Sequence, residues 1–209
     1  LKESYLSTLE QNIAWFLMGT SELMMGFMMD PENSHKLLET ITQFTINWIE
    51  HQKKMFPSIE GILVLDDIVG FIGDDECREF AVPYIKRIFN SIDSKLNFFH
   101  NDAQGLISTP YLKEMGVDLF NFSFEHTMKE IRELAGPEVA LIGNLPPRDV
   151  LAAGTPEQVR EETRKMVKDF GDKNRVIWSC GGGMPQDVTT ENIRAFKQTI
   201  DEEVPKLKS

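Results

Sequence analysis

The stretch Lys95-Leu96-Asn97-Phe98-Phe99-His100-Asn101-Asp102 runs from an apolar middle to a polar finish, and the same pattern recurs along the chain. Gly61 to Asp67, Asp118 to Phe124, Val139 to Leu145 and Arg175 to Cys180 are likewise short β-rich runs that close on polar or small residues. Helical stretches lie between them. Asp30-Pro31-Glu32 supplies a cap with proline at the first helical position, and Leu37, Leu38, Ile41, Phe44 and Trp48 follow at helical spacing toward Met55. Glu76 to Ser91 and Thr109 to Met115 predict further helices, with Gly116 as a C-terminal stop. Thr155-Pro156-Glu157-Gln158 opens another, because a Thr cap and a Gln three residues on satisfy two free backbone donors reciprocally. Thr189-Thr190-Glu191-Asn192 opens the last, to about Val204.

Strands that alternate with helices pair in parallel through right-handed crossovers, so the class is α/β. A doubly wound sheet places a glycine-rich phosphate turn after its first strand, and Leu65-Asp66-Asp67-Ile68-Val69-Gly70 has none. A TIM (β/α)8 barrel gathers functional residues at the C-terminal ends of its strands, where this chain puts its unusual polar residues. The expectation is a single domain over residues 1–209, made of about five βα units of such a barrel, with residues 1–30 leading into the first helix. Five units cannot close eight strands, so the others are expected upstream or from another copy. An opening Leu-Lys-Glu-Ser without Met fits a chain that begins partway through a natural protein.

Composition narrows the function. At 209 residues and 41% hydrophobic content the chain can bury a substantial core. A net charge of −11 without any Lys/Arg cluster argues against nucleic acid and anionic membranes, since a polyanion would be repelled over most of the surface. A small-molecule substrate or a protein partner is favoured. Two cysteines, Cys77 and Cys180, lie in dissimilar segments and predict a reducing cytoplasm rather than a disulfide framework. The longest apolar stretch, Ile13 to Met29, is interrupted by Glu22 and by Gly, Thr and Ser, so it is not expected to span a bilayer. It holds half of the ten methionines, read as core or barrel cover, or as an adaptable lining for a flat ligand.

The strand ends carry the candidate chemistry. Asp66 and Asp67 are adjacent, so at most one faces the barrel mouth directly, the other reading being a helix cap or solvated turn. His100 and Asp102 share a face, which suits a metal site, a His–carboxylate acid/base pair or a hydrogen-bonded core histidine. Ser123 and Glu125 close the next strand. Asn144 serves either a substrate oxygen or a turn. Gly181-Gly182-Gly183 allows close backbone approach to a ligand, or is an ordinary loop. Cys180 is a soft metal ligand or a small core residue. Cys77 sits on a helix and reads as inert, and His35, His51 and His126 read as surface or packing residues.

Taken together, blocks in order along almost the whole chain resemble the uroporphyrinogen decarboxylase superfamily, which includes methylcobamide:coenzyme M methyltransferases and O-demethylase methyltransferases. They are Asp30-Pro31-Glu32, Leu65-Asp66-Asp67 to Gly70, Glu79-Phe80 to Pro83-Tyr84, Phe99-His100-Asn101-Asp102, and Leu112-Lys113-Glu114-Met115-Gly116-Val117-Asp118. Gly143-Asn144-Leu145-Pro146-Pro147, Gly154-Thr155-Pro156-Glu157, and Gly181-Gly182-Gly183 to Glu191-Asn192 complete the series.

The resemblance implies a complete eight-stranded barrel, of which this chain is the C-terminal part. The decarboxylases' late Gly-His-Gly is replaced here by Gly181-Gly182-Gly183, which speaks against true uroporphyrinogen decarboxylation. The coenzyme M enzymes bind zinc through His-x-Cys and a cysteine in the middle of that Gly-x-Gly. Here His100 matches, Asp102 and Gly182 replace the two cysteines, and Cys180 lies two residues early. The implied zinc set is therefore His100, Asp102 and Cys180, with coenzyme M a poor acceptor. The remaining expectation is methyl transfer between a methoxyaromatic or methylamine-type donor and a cobalamin protein. In it His100 or Asp66 is the acid, Asp102 and Glu125 orient it, and Asp67, Asn144 and the three glycines hold substrate. The alternative is decarboxylation of a tetrapyrrole or other carboxylate centred on Asp66. Unpaired barrel edges also predict association, with a homodimer as one form.

Overall fold

The structure, a computed structural model, describes residues 4–8, 10–103 and 106–207; the opening Leu1-Lys2-Glu3 lies outside them. Strands β1 (Ser4–Thr8), β2 (Ile59–Leu65), β3 (Leu96–Asn101), β4 (Leu119–Phe122), β5 (Ala140–Leu145) and β6 (Val176–Cys180) form one sheet. All pairs are parallel and the strand order equals the chain order. An order that never reverses is the arc of a barrel; a doubly wound sheet would double back at a switch point. The sheet holds six strands where five units were expected. The additional strand, β1, is short and largely polar, which gave no apolar run to read. Among the described residues, β1 and β6 are hydrogen-bonded on one side only.

Helices α1 (Glu10–Met18), α2 (Thr20–Met29) and α3 (Pro31–Met55) link β1 to β2. Helix α3 starts as its sequence dictates: Asp30 accepts from the Asn33 backbone N–H at 3.4 Å, and Pro31 occupies the first position. Its stripe of Leu38, Ile41, Thr42, Thr45 and Ile49 is buried. The helix expected over Glu76 to Ser91 is instead two, α4 (Asp74–Phe80) and α5 (Val82–Phe89). Pro83 supplies no N–H and its ring clashes with the preceding turn, so one continuous helix would be broken there. The helix expected from Thr109 begins as a tight turn and becomes α6 (Leu112–Met115), ended by Gly116 in the left-handed region at φ 84°.

Helix α7 (Met128–Ala135) was not anticipated, although Thr127 and Glu130 form a reciprocal cap. Thr155 and Gln158 do the same for α8 (Pro156–Phe170), and Thr189 caps α9 (Thr190–Glu203). The main core lies between sheet and helices, where Ile62, Val64, Phe99, Phe120 and Leu141 pack with helical residues such as Leu38, Ile85 and Ile131. Phe99 and Phe120 stack with centroids 5.8 Å apart. The other sheet face carries Leu63, Leu65, Phe98, His100 and Ile142, which are only half-buried. Polar chemistry therefore sits on the face turned away from the helices.

Candidate active site

Because every strand runs the same way, their C-terminal ends meet at one rim. Register places His100 beside Leu65 on one flank and Asn121 on the other. The His100 Nδ1 lies 2.7 Å from Asn121 Oδ1, and its Nε2 lies 3.4 Å from Asp102 Oδ2. Asn121 Nδ2 donates to the Ile142 carbonyl at 2.7 Å, so the oxygen of that amide is the atom turned to His100. Nδ1 must then carry a hydrogen. With Nε2 facing a carboxylate, a neutral ring would set its lone pair against negative charge, whereas an imidazolium donates on both sides.

The titration of His100 follows from this arrangement. Burial is the largest influence and lowers its pKa, but it is outweighed by the hydrogen bond and charge of Asp102, the Asn121 contact and the charge of Asp67. The net direction is upward from the ordinary 6.5. Asp67 also accepts the Asp102 backbone N–H at 2.8 Å, tying the ends of β2 and β3 together. Of the adjacent carboxylates, Asp67 thus joins the His100 cluster. Asp66 is fully buried; its backbone N–H donates to the His100 carbonyl at 3.0 Å, and its charge acts on Cys77. Burial, with Asp74 and Asp66 adding to it, pushes the Cys77 thiol up to about 12, which keeps it inert as expected.

The glycine run has a steric reason. A Cβ on Gly182, which sits at φ 70°, would lie 2.7 Å from Asp102 Oδ1, and one on Gly181 would lie 2.9 Å from the Phe124 Cβ. The loop after β6 therefore closes over Asp102 and Phe124 only without side chains there. Asp102 fills the space a residue at position 182 would take. Gly183 has open space around its Cα. A cavity of about 550 Å³ opens at this rim, lined by Asp102, Ser123, Phe124, Pro147, Arg148 and Gly181.

The other expected residues are placed differently. Glu125 is exposed in the turn after β4, its backbone N–H 3.3 Å from Ser123 Oγ. Asn144 is buried, its side-chain N–H donates to the His126 carbonyl, and its backbone N–H faces Met166 Sδ at 3.4 Å. It thereby ties β5 to the turn before α7. Cys180 packs in a small core with Leu145, Leu151, Val159 and Ala195, and burial holds its thiol up. The zinc set of His100, Asp102 and Cys180 is not assembled: among the described residues no three His, Cys, Asp or Glu side chains are placed to share a metal ion. The Cys180 thiol is held protonated by burial and turned to the Gly182 carbonyl, which makes it a poor metal ligand.

Two functional candidates escaped the sequence reading. Asn121 showed no signal, since a polar residue inside an apolar run resembles an ordinary strand residue. Arg148 lies between two recognised blocks and was not singled out; it stands on a six-residue π-helical turn, Pro147–Ala152, just after β5. His35, read as a surface or packing residue, links Tyr84 and Glu79 at 2.8 and 3.1 Å on the helical exterior. No described helix is long and apolar enough to cross a membrane.

A parallel barrel-type sheet with an acid/base cluster and an open cavity at its strand ends defines an enzyme of the TIM-barrel class. The uroporphyrinogen decarboxylase (URO-D) family profile matches residues 12–203, and the chain belongs to that family. It is 29% identical over 181 residues to a uroporphyrinogen decarboxylase from Chloroherpeton thalassium, covering 83% of this chain and 50% of the relative. A second, from Chlorobium chlorochromatii, is 28% identical over 189 residues, covering 85% and 51%. A methyltransferase from Methanosarcina mazei superposes with a TM-score of 0.79 at 16% identity, over 96% of this chain and 58% of that one. A B12-independent methionine synthase from Shewanella sp. W3-18-1 gives 0.59 at 16% identity, over 86% and 59%. The chain spans about half the length of the curated relatives it matches.

Proposed function

We propose that the chain belongs to a methyltransferase component that moves a methyl group between a small methylated substrate and a corrinoid carried by a partner protein docking on the rim. The observation that carries this reading is His100, poised between Asn121 Oδ1 and the Asp102 carboxylate as a cationic acid. The corrinoid supplies the nucleophile that takes the methyl carbon as its bond to oxygen or nitrogen breaks. That departing atom needs a proton, and His100 Nε2 supplies it, leaving the ring neutral with its hydrogen on Nδ1. Asp102 stabilises the cation beforehand, and Asp67 holds the Asp102 backbone in place. The substrate lies in the cavity against Ser123, Phe124 and Gly181, with Asp102 and Gly183 at its edges.

Similarity to curated uroporphyrinogen decarboxylases favours a second reading, loss of a carboxylate from a tetrapyrrole or other acid. The cavity argues against a polycarboxylate, because Asp102 and Asp149 line it with Arg148 as its one cationic side chain among the described residues. The test is an anaerobic visible spectrum of the full-length protein with cob(I)alamin and a panel of methoxyaromatics and methylamines. Growth of the methylcobalamin band, lost in His100→Ala, is the expected result. No methylation across the panel with verified corrinoid reduction would sink the reading and favour decarboxylation.

A further inference from the structure

We infer that Arg148 is the anion anchor of the rim cavity, gripping a single carboxylate on an aromatic substrate whose methyl-bearing end points toward Asp102. This deepens the methyl-transfer reading and rests on it for the identity of the reacting end.

Three observations lead there. First, Arg148 is exposed and lines the cavity, and among the described residues its guanidinium has no hydrogen-bond or ion-pair partner. An arginine fork is suited to a planar carboxylate, which it meets with two parallel hydrogen bonds. The other charged groups that line the cavity are Asp102 and Asp149, so it offers one cationic anchor alongside two acids. One carboxylate can be held there; several would be repelled.

Second, the segment that presents Arg148 is unusual and well braced. The Leu151 N–H reaches the Pro146 carbonyl at 3.0 Å and the Ala153 N–H reaches the Arg148 carbonyl at 2.9 Å, the i to i+5 pattern of a π-helix. Such turns are rare and are frequent at functional sites. Asn192, almost fully buried at the start of α9, donates to the Leu151 carbonyl at 2.9 Å and the Gly154 carbonyl at 2.8 Å. The turn is thus clamped from outside the cavity, and it holds the arginine backbone at a fixed place on the rim.

Third, the lining suits one ring. Asp102 directly follows β3 and Arg148 lies just past β5, with β4 between, so the acid and the cation reach the cavity from strands that are not neighbours. Phe124 and Pro147 supply the apolar walls between. The cavity of about 550 Å³ lies within the usual range for small-molecule sites, roughly 300–1,000 Å³.

The experiment is calorimetric titration of the full chain with 4-methoxybenzoate and its neutral match 4-methoxybenzamide, in the unaltered protein, Arg148→Gln and Arg148→Lys. The carboxylate should bind roughly ten- to a hundredfold tighter than the amide, the range of a charge-assisted hydrogen bond. Arg148→Gln should abolish that preference while leaving the amide unchanged, and Arg148→Lys should keep part of it. Equal binding of both probes, an unchanged preference in Arg148→Gln, no binding of either, or tighter binding of tetramethylammonium would each overturn the assignment. A carboxylate preference without methyl transfer leaves the anchor standing and removes the reaction proposed above; methyl transfer without the preference does the reverse.

Discussion

Replacing Gly182 by alanine tests whether the loop after β6 and the His100 cluster form one unit. The added Cβ would fall 2.7 Å from Asp102 Oδ1 and 2.9 Å from its Cγ, with the backbone held at φ 70°. Left-handed strain costs about 1–2 kcal/mol for a non-glycine residue, and the carboxylate or the loop must also move. We expect a total loss of about 1–3 kcal/mol by urea unfolding. The sharper readout is His100. Its pKa stands above 6.5 because Asp102, Asn121 and Asp67 outweigh burial, so protonation stabilises the folded state. That stabilisation is fully present below 6.5 and is lost as pH rises through the raised value. Displacing Asp102 removes the strongest upward influence and leaves burial, the largest single effect, to draw the pKa down. The His100 ring resonances should therefore titrate at lower pH in Gly182→Ala, and the pH-dependent part of the stability should shrink. An unchanged His100 titration in a folded variant would refute the coupling.

Asn121→Leu keeps the volume but removes the Nδ1 acceptor and the donor to the Ile142 carbonyl. It should lower the His100 pKa and cost about 1–3 kcal/mol for the polar groups left unpaired, measured by NMR titration and chemical denaturation. A His100 pKa equal to that of the unaltered protein would mean that Asn121 does not set the proton. Asn192→Ala deletes both clamps on the π-helical turn, and a loss of about 1–3 kcal/mol is expected from two hydrogen bonds. Amide exchange over residues 147–154 should accelerate in the same variant, and unaltered protection there would show that the turn holds itself.

Several features were legible in the residues because they are set within a few positions. Alternation of apolar runs with capped helices fixed the α/β class and the barrel-type order, and Thr155 with Gln158 fixed the start of α8. The polar strand ends located the rim. The pairing of His100 with Asp102 was also readable, since two residues apart on a strand share a face. Local rules were misjudged where a signal was brief: Pro83 splits a helix, Thr127 and Glu130 start one that was missed, and Ser4 to Thr8 form a polar strand.

Contacts across long loops belong to the tertiary structure. Nothing near Asn121 in sequence indicates that it faces His100, because that depends on the register between β3 and β4. Cys180 lies two residues early for the ligand that the resemblance implies, on the same strand face, and packing against α8 and α9 turns it into core. Gly182 looks like any loop glycine until its Cα is brought against Asp102, eighty residues earlier in the chain. The sequence determined the order of elements and the chemistry available at their ends, since propensity, capping and periodicity act over a turn or two. Which of those groups meet was decided by strand register and loop path, which emerge only when the whole core packs.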